Sequence, residues 1–226
     1  MLIKNLKFWE SQNQNKFLNQ YPWDNVVTFV NHYKKTFINK KIKLLELGCG
    51  SGGNLIFSAE QKIETYGLDI SKNAIKKSQL LAKKKNMKIN LFNTSFENIP
   101  LSDGFIDLVI DRASLTCVSF DLIVRTSKEI NRVLCKGGLF FFNIYSKKHS
   151  SYIFSNKNFN NNKYQYSNSI KKGTLKGINQ ICFFDKIMIN KIAKLNNWKI
   201  ISIQLIKKNN CNNKLSHVEW EIIFKK

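Results

Sequence analysis

The sequence predicts an α/β fold: a doubly wound, mostly parallel seven-stranded sheet with an antiparallel last strand and a helical N-terminal extension. Three observations carry that expectation. From Ile42 the chain alternates short apolar runs with amphipathic stretches, the rhythm of strands joined by crossover helices. The short runs are nearly all apolar, as they must be when helices cover both faces of a parallel sheet. The first run ends in glycines at 48, 50, 52 and 53, which suit a tight turn against a ligand at the carboxyl end of a strand.

The elements follow in order. Residues 1–39 read as mostly helical, with Tyr21-Pro22-Trp23-Asp24 as a turn that opens a helix near Asp24. Residues 42–47 form the first strand and 54–61 a short helix. Residues 63–70 form the second strand, and 71–85 a helix whose N-cap is Ser71. Strands are expected at 88–92 and 105–110. Residues 120–134 are helical, with Ile123, Ile130 and Leu134 at core-facing spacing. Lys136-Gly137-Gly138 reads as a turn into a fifth strand at 139–145. A helix at 185–197 precedes strands at 198–206 and 217–224, which an Asn-rich turn joins as an antiparallel hairpin. The chain thus reads as one domain, 1–226. Residues 1–39 are a cap, 40–146 a ligand-binding core, 147–180 a polar lid or insertion, and 181–226 the closing helix and strand pair. An irregular segment as long as 147–180 is functional or disordered in most compact domains.

Composition narrows the class. The 226 residues carry 37 Lys+Arg against 15 Asp+Glu, a net charge of +22. Nearly all of the positive charge is Lys; the arginines are Arg112, Arg125 and Arg132. Nucleic-acid readers lean on Arg for bidentate and stacked contacts, so the charge alone is poor evidence for nucleic acid. Enrichment in Lys, Asn and Ile at the expense of Arg has the look of codon bias in an AT-rich genome. Hydrophobic content of 43%, with 17 Phe and 4 Trp, supports a packed core. No apolar run is long enough to span a bilayer, and the start lacks a signal-peptide pattern. The five cysteines are odd in number and dispersed, with no metal-ligand spacing, so no metal is expected and a reducing cytoplasm fits. Oligomeric state is left open.

The glycine turn specifies its ligand by charge. Glu46 stands just ahead of Gly48-Cys49-Gly50-Ser51-Gly52-Gly53-Asn54. A carboxylate there repels a pyrophosphate and favours a positively charged group such as an ammonium or sulfonium. Asp69 ends the next strand, where an acid can accept from both ribose hydroxyls. The implied ligand is a nucleoside with a cationic, phosphate-free tail. S-adenosylmethionine fits that description and NAD fits it less well.

With LELGCGSGGN, YGLDIS, FENIPLSDGFIDLVIDRASL and EINRVLCKGGLFFF in order, residues 40–146 resemble the class I, Rossmann-like S-adenosylmethionine-dependent methyltransferases. The terminal helix-strand-strand is similar to that family's reversed final strand. The resemblance implies that Glu46, Gly48, Cys49, Gly50 and Asn54 line the methionine end. It implies that Asp69 holds the ribose, that Ile70 packs on the adenine, and that Ser95 and Phe96 meet the adenine edge. Ser95 stands where the family often has an acid, which implies weaker adenine selection. Asp111 and Arg112 would sit beside donor and acceptor. Weaker resemblances of DRASL and HVEWEIIFKK are to bacterial methyltransferases of surface-polysaccharide pathways. They imply an oxygen of a sugar, sugar-phosphate or nucleotide-linked intermediate as acceptor.

Methyl transfer is an in-line displacement governed by alignment, and a hydroxyl acceptor gains from a base. His149, just past the fifth strand, and Asp111 are the candidate bases. His217 and His32 read as structural or solvated. Arg112 could clamp an anionic acceptor or pair with Asp111 or Glu46. Trp9, Tyr21 and Trp23 flank the leading helices, and Tyr21 and Trp23 are candidate acceptor contacts. Two other readings stay open: an RNA methyltransferase, motivated by the charge, and a catalytically silent partner that keeps the fold.

Overall fold

The computed structural model describes residues 3–15, 19–37, 40–153, 170, 175–178, 180–209 and 215–226. Its strands are β1 Lys43–Leu47, β2 Glu64–Asp69, β3 Asn90–Asn93, β4 Ile106–Arg112, β5 Leu134–Tyr145, β6 Lys199–Asn209 and β7 Ser216–Lys225. They form one sheet in the order β3-β2-β1-β4-β5-β7-β6. The first five pair in parallel, and β7 runs antiparallel to both β5 and β6. This is the architecture expected from the sequence.

The helices are α1 Ile3–Asn15, α2 Asp24–Tyr33, α3 Gly53–Glu60, α4 Lys72–Lys85, α5 Phe120–Val133, α6 Ser150–Ile153 and α7 Lys186–Leu195. Side chains alternate between the two faces of a strand, so each face has its own core. On one face Leu44, Leu108, Ile110 and Phe141 pack with Val26, Phe29 and Val30 of α2, Leu55 of α3 and Ile75 of α4. On the other, Leu45, Val109, Phe140, Phe142 and Phe224 pack with Ile123 and Ile130 of α5 and Met188 and Ile192 of α7.

Local chemistry sets the helix starts. The hydroxyls of Ser71 and Ser119 accept from the backbone N–H groups of Ala74 and Leu122, and the Asp185 carboxylate accepts from Met188 N–H. Each such cap satisfies a donor that the first turn leaves without an intrahelical partner, and stabilises by about 1 kcal/mol. α5 buries a stripe through Ile123, Ser127, Ile130 and Val133, and opens on Asp121 and closes on Arg132, as the helix dipole favours.

The start of β5 differs most from the sequence reading. β5 already pairs at Leu134, ahead of the expected turn at 136–138. Its register against β4 then slips between Ile106 and Leu108. Gly137, at φ +80°, absorbs the slip, so the glycines irregularise the strand without separating it from the helix by a turn.

The described part of 147–180 is packed. Ile170, Leu175 and Ile178 are buried with Cys117, Ile181 and Phe183, against Phe8 and Trp9 of α1. Residues 154–169, 171–174 and 179 of that segment lie outside the described residues.

Candidate active site

The carboxyl ends of the parallel strands enclose a cavity of about 810 Å³. It opens between β1 and β4, where the strand order reverses direction and helices leave to opposite faces. Its size is that of a cofactor or drug-sized ligand site.

The turn after β1 floors one end. Gly48, Gly50 and Gly52 all have positive φ, a conformation that costs an L side chain. At Gly48 space forbids one as well: a Cβ there would lie 2.2 Å from the Ser114 hydroxyl. Glu46 is buried just below. Its Oε1 accepts from the Asn54 amide at 2.6 Å, and its Oε2 has no hydrogen-bond partner. Burial pushes its pKa up to about 8; the Asn54 bond opposes the rise, and the charges of Asp111 and Asp69 add to it. Asp69, at the end of β2, accepts from the N–H groups of Gly50 at 2.9 Å and Ser71 at 2.8 Å. Burial raises its pKa against those two bonds. Ile70, Ser95 and Phe96 continue this wall, with the Glu97–Arg125 ion pair beside them.

The opposite wall comes from the far side of the sheet. Arg112 ends β4, and its guanidinium lies 4.2 Å from the centre of the Trp23 ring. Its Nη2 is 3.7 Å from Oε2 of Glu219 on β7, and its Nε is buried without a partner. Tyr145, Gln180, Lys208 and His217 complete the wall. The reversal of β7 is what brings its amino-terminal residues to the carboxyl ends of β4 and β5. Trp23 ties the two walls together, since its N–H donates to Asn54 Oδ1, and Asn54 in turn holds Glu46.

Of the residues singled out from the sequence, Glu46, Gly48, Cys49, Gly50, Asn54, Asp69, Ile70, Ser95, Phe96, Arg112, Tyr21 and Trp23 all line this cavity. Cys49 is buried, and burial with the nearby Asp69 and Glu46 charges drives its pKa up, so it stands there as a neutral thiol. Asp111 and His149 do not line the cavity. Adjacent strand residues face opposite ways, so with Arg112 toward the cavity Asp111 must point to the α5 face. There its Oδ1 accepts from the N–H groups of Ser114 and Leu115, shaping the turn beyond β4. Burial lifts its pKa to about 8 against those bonds and the Arg112 charge. Arg112 pairs with Glu219, and neither of the carboxylates expected from the sequence is its partner.

His149 is 1% exposed and stands behind His217, the histidine that reaches the cavity. Sequence reasoning missed His217, Tyr145 and Lys208. The signal for His217 was present: in Ser216-His217-Val218-Glu219-Trp220-Glu221-Ile222, polar and apolar residues alternate. That places His217 and Glu219 on one strand face.

Known proteins share this fold. Residues 45–142 match the model of the family described as a methyltransferase domain. A solved S-adenosylmethionine-dependent methyltransferase of Methanosarcina mazei superposes with a TM-score of 0.70 at 17% identity, covering 85% of this chain and 96% of that one. The 1,6-didemethyltoxoflavin-N1-methyltransferase of Burkholderia thailandensis, solved with its substrate and S-adenosylhomocysteine, superposes at 0.71 with 10% identity, covering 100% of this chain and 87% of that one. In sequence, the ubiquinone biosynthesis O-methyltransferase of Pelagibacter ubique (strain HTCC1062) is 28% identical over 152 residues, 67% of this chain. The chain spans 65% and 62% of the length of the two curated relatives it matches. Residues 45–142 are thus similar to a methyltransferase domain, and the fold is that of the solved S-adenosylmethionine-dependent methyltransferases. Among the described residues, no helix is long and apolar enough to cross a membrane.

Proposed function

We propose that the protein transfers a methyl group from S-adenosylmethionine to an oxygen of a small molecule. One observation carries this reading most: a buried carboxylate, Glu46, with an oxygen lacking any partner, beneath a glycine turn and beside Asp69. A buried acid so placed is costly to ionise unless a cation meets it. S-adenosylmethionine brings an ammonium and a sulfonium, and when bound it supplies an electrophilic methyl. Glu46 and Asn54 would orient the methionine end, Asp69 would accept from the ribose hydroxyls, and Ile70 and Phe96 would hold the base. The glycine turn lets the backbone approach closely, and α1, through Trp9 and Asn13, helps exclude water.

The acceptor would lie against Trp23, Tyr145 and His217, with Arg112 and Lys208 nearby. That cationic wall supports a phosphate-bearing acceptor. We take an oxygen of a sugar, sugar-phosphate or nucleotide-linked intermediate, of the kind used in surface-polysaccharide assembly, as the first class to test. The Cys49 and Cys135 thiols support a cytoplasmic setting.

The test has two arms. Calorimetry should show S-adenosylmethionine and S-adenosylhomocysteine binding, and absence of both would remove the methyl-donor reading. Labelled S-adenosylmethionine incubated with a panel of sugar phosphates and nucleotide sugars should give labelled product. Transfer only to phenols or amines would keep the activity and replace the acceptor class.

A further inference from the structure

Behind the acceptor wall lies a line of hydrogen bonds whose direction is fixed from one end. The N–H of Ser151 donates to Nδ1 of His149 at 3.0 Å. A backbone N–H can only donate, so that nitrogen carries no proton. The His149 proton is therefore on Nε2, which lies 3.2 Å from Nδ1 of His217. Nδ1 of His217 must then accept, which leaves its proton on Nε2. That nitrogen lies 3.1 Å from Oε2 of Glu219. The same carboxylate oxygen faces Nη2 of Arg112 at 3.7 Å.

Two consequences follow. Every ring nitrogen of both histidines is already engaged within this line, so neither offers a lone pair to an acceptor hydroxyl. The line also ends on a carboxylate that is 1% exposed and faces the Arg112 guanidinium. Protonation of His149 at Nδ1 would set its N–H against that of Ser151, which the line resists. Burial, with His217 next to it, accordingly holds the His149 pKa down to about 4, with Glu219 opposing. Glu219 keeps its charge: burial alone would raise its pKa, but the His217 bond and the Arg112 charge outweigh it and leave it lowered.

Arg112 is thus fixed on two sides, by Glu219 through charge and by Trp23 through its ring face, while Nε remains without a partner. A guanidinium is a planar fork suited to bidentate binding of an oxyanion, and its value depends on orientation. We propose that Arg112 anchors an oxyanion of the methyl acceptor, and that Glu219, His217 and His149 are positioning residues that aim it. This rests on the acceptor wall assigned above and names what that wall recognises: a carboxylate or phosphate group on the acceptor. It also makes His149, a candidate base from the sequence, a positioning residue together with His217.

The test uses the full chain saturated with S-adenosylhomocysteine. That binding reports on the methyl-donor site by itself, so its loss would count against the donor reading and not against the anchor. Inorganic phosphate, glucose 1-phosphate and benzoate are then titrated as probes. Wild type should bind at least one of them, phosphate probes and benzoate deciding which oxyanion. Arg112→Lys keeps the charge but loses the fork, and should weaken that probe by about tenfold. His149→Phe keeps the ring's bulk and should weaken it several-fold, while ¹⁵N shifts show His217 losing its single Nε2–H form. His149→Gln retains one acceptor and one donor and should restore both readouts. Equal probe affinity in wild type and Arg112→Lys would overturn the anchor, as would no probe binding at all. An unchanged His217 tautomer and probe affinity in His149→Phe would overturn the relay.

Discussion

Glu46 shows how much a single side chain decides. Its pKa near 8 in the free protein means that it holds a proton at neutral pH. A cation placed against it would favour the charged form and lower that pKa. Cofactor binding at pH 7 should therefore release about one proton. Calorimetry in buffers of different ionisation enthalpy reads this directly, and Glu46→Gln should abolish the buffer dependence. A wild-type binding enthalpy indifferent to buffer would mean that Glu46 does not meet the cation. Gly48 was legible from sequence for its turn, yet its second constraint was not. That a Cβ would strike Ser114 depends on a contact across 66 residues. The misplacement of Asp111 was of another kind, because strand alternation turns it away from the side that Arg112 presents.

Among the elements, α1 is held by a bond that no local sequence pattern announces. Its Glu10 carboxylate accepts from Lys72 N–H at 2.7 Å, from Asn73 N–H at 3.3 Å and from the Ser71 hydroxyl at 3.2 Å. It thus caps α4 jointly with Ser71, at the helix end where negative charge is favoured. Through this clamp the cap's Leu6, Trp9 and Asn13 are kept over the cavity. Glu10→Ala should cost about 1 kcal/mol of docking. It should speed proteolysis within α1 while leaving the sheet's amide protection intact, and raise the cofactor dissociation constant several-fold. Equal protease sensitivity would show that α1 is held by Phe8 and Trp9 packing alone. The glycine-turn wall of the cavity was legible because its parts are consecutive: strand, turn, helix, strand-end acid. The far wall was legible only at Trp23 and Arg112, because residues 145, 208 and 217 join them only when the sheet closes.

For the whole molecule, two buried acids set a pH trend. Glu46 and Asp111 both have pKa values raised to about 8. A carboxyl whose pKa rises on folding binds its proton more tightly in the native state. The stability this confers is complete below the ordinary carboxyl pKa and is lost as pH climbs through about 8. The melting temperature of the free protein should therefore fall between about pH 5 and pH 9. Saturating cofactor should remove the Glu46 part and leave that of Asp111. A flat profile would show that both acids stay ionised. The +22 charge makes a separate prediction. Exposed lysines on α4, at 72, 76 and 83–85, lie on its outward side. RNA should bind weakly, with an affinity that collapses by 0.2 M salt at about the slope of non-specific contacts. Salt-resistant, sequence-selective binding would favour an RNA acceptor instead. Finally, the reversed strand beside β5 separates two heritable parts. The glycine turn and Asp69 lie within residues 46–96, whereas Lys208, His217 and Glu219 belong to one C-terminal hairpin. On the proposed function, that hairpin is an exchangeable cassette, and a chimera grafting residues 199–226 from another methyltransferase domain should change acceptors while keeping the methyl donor.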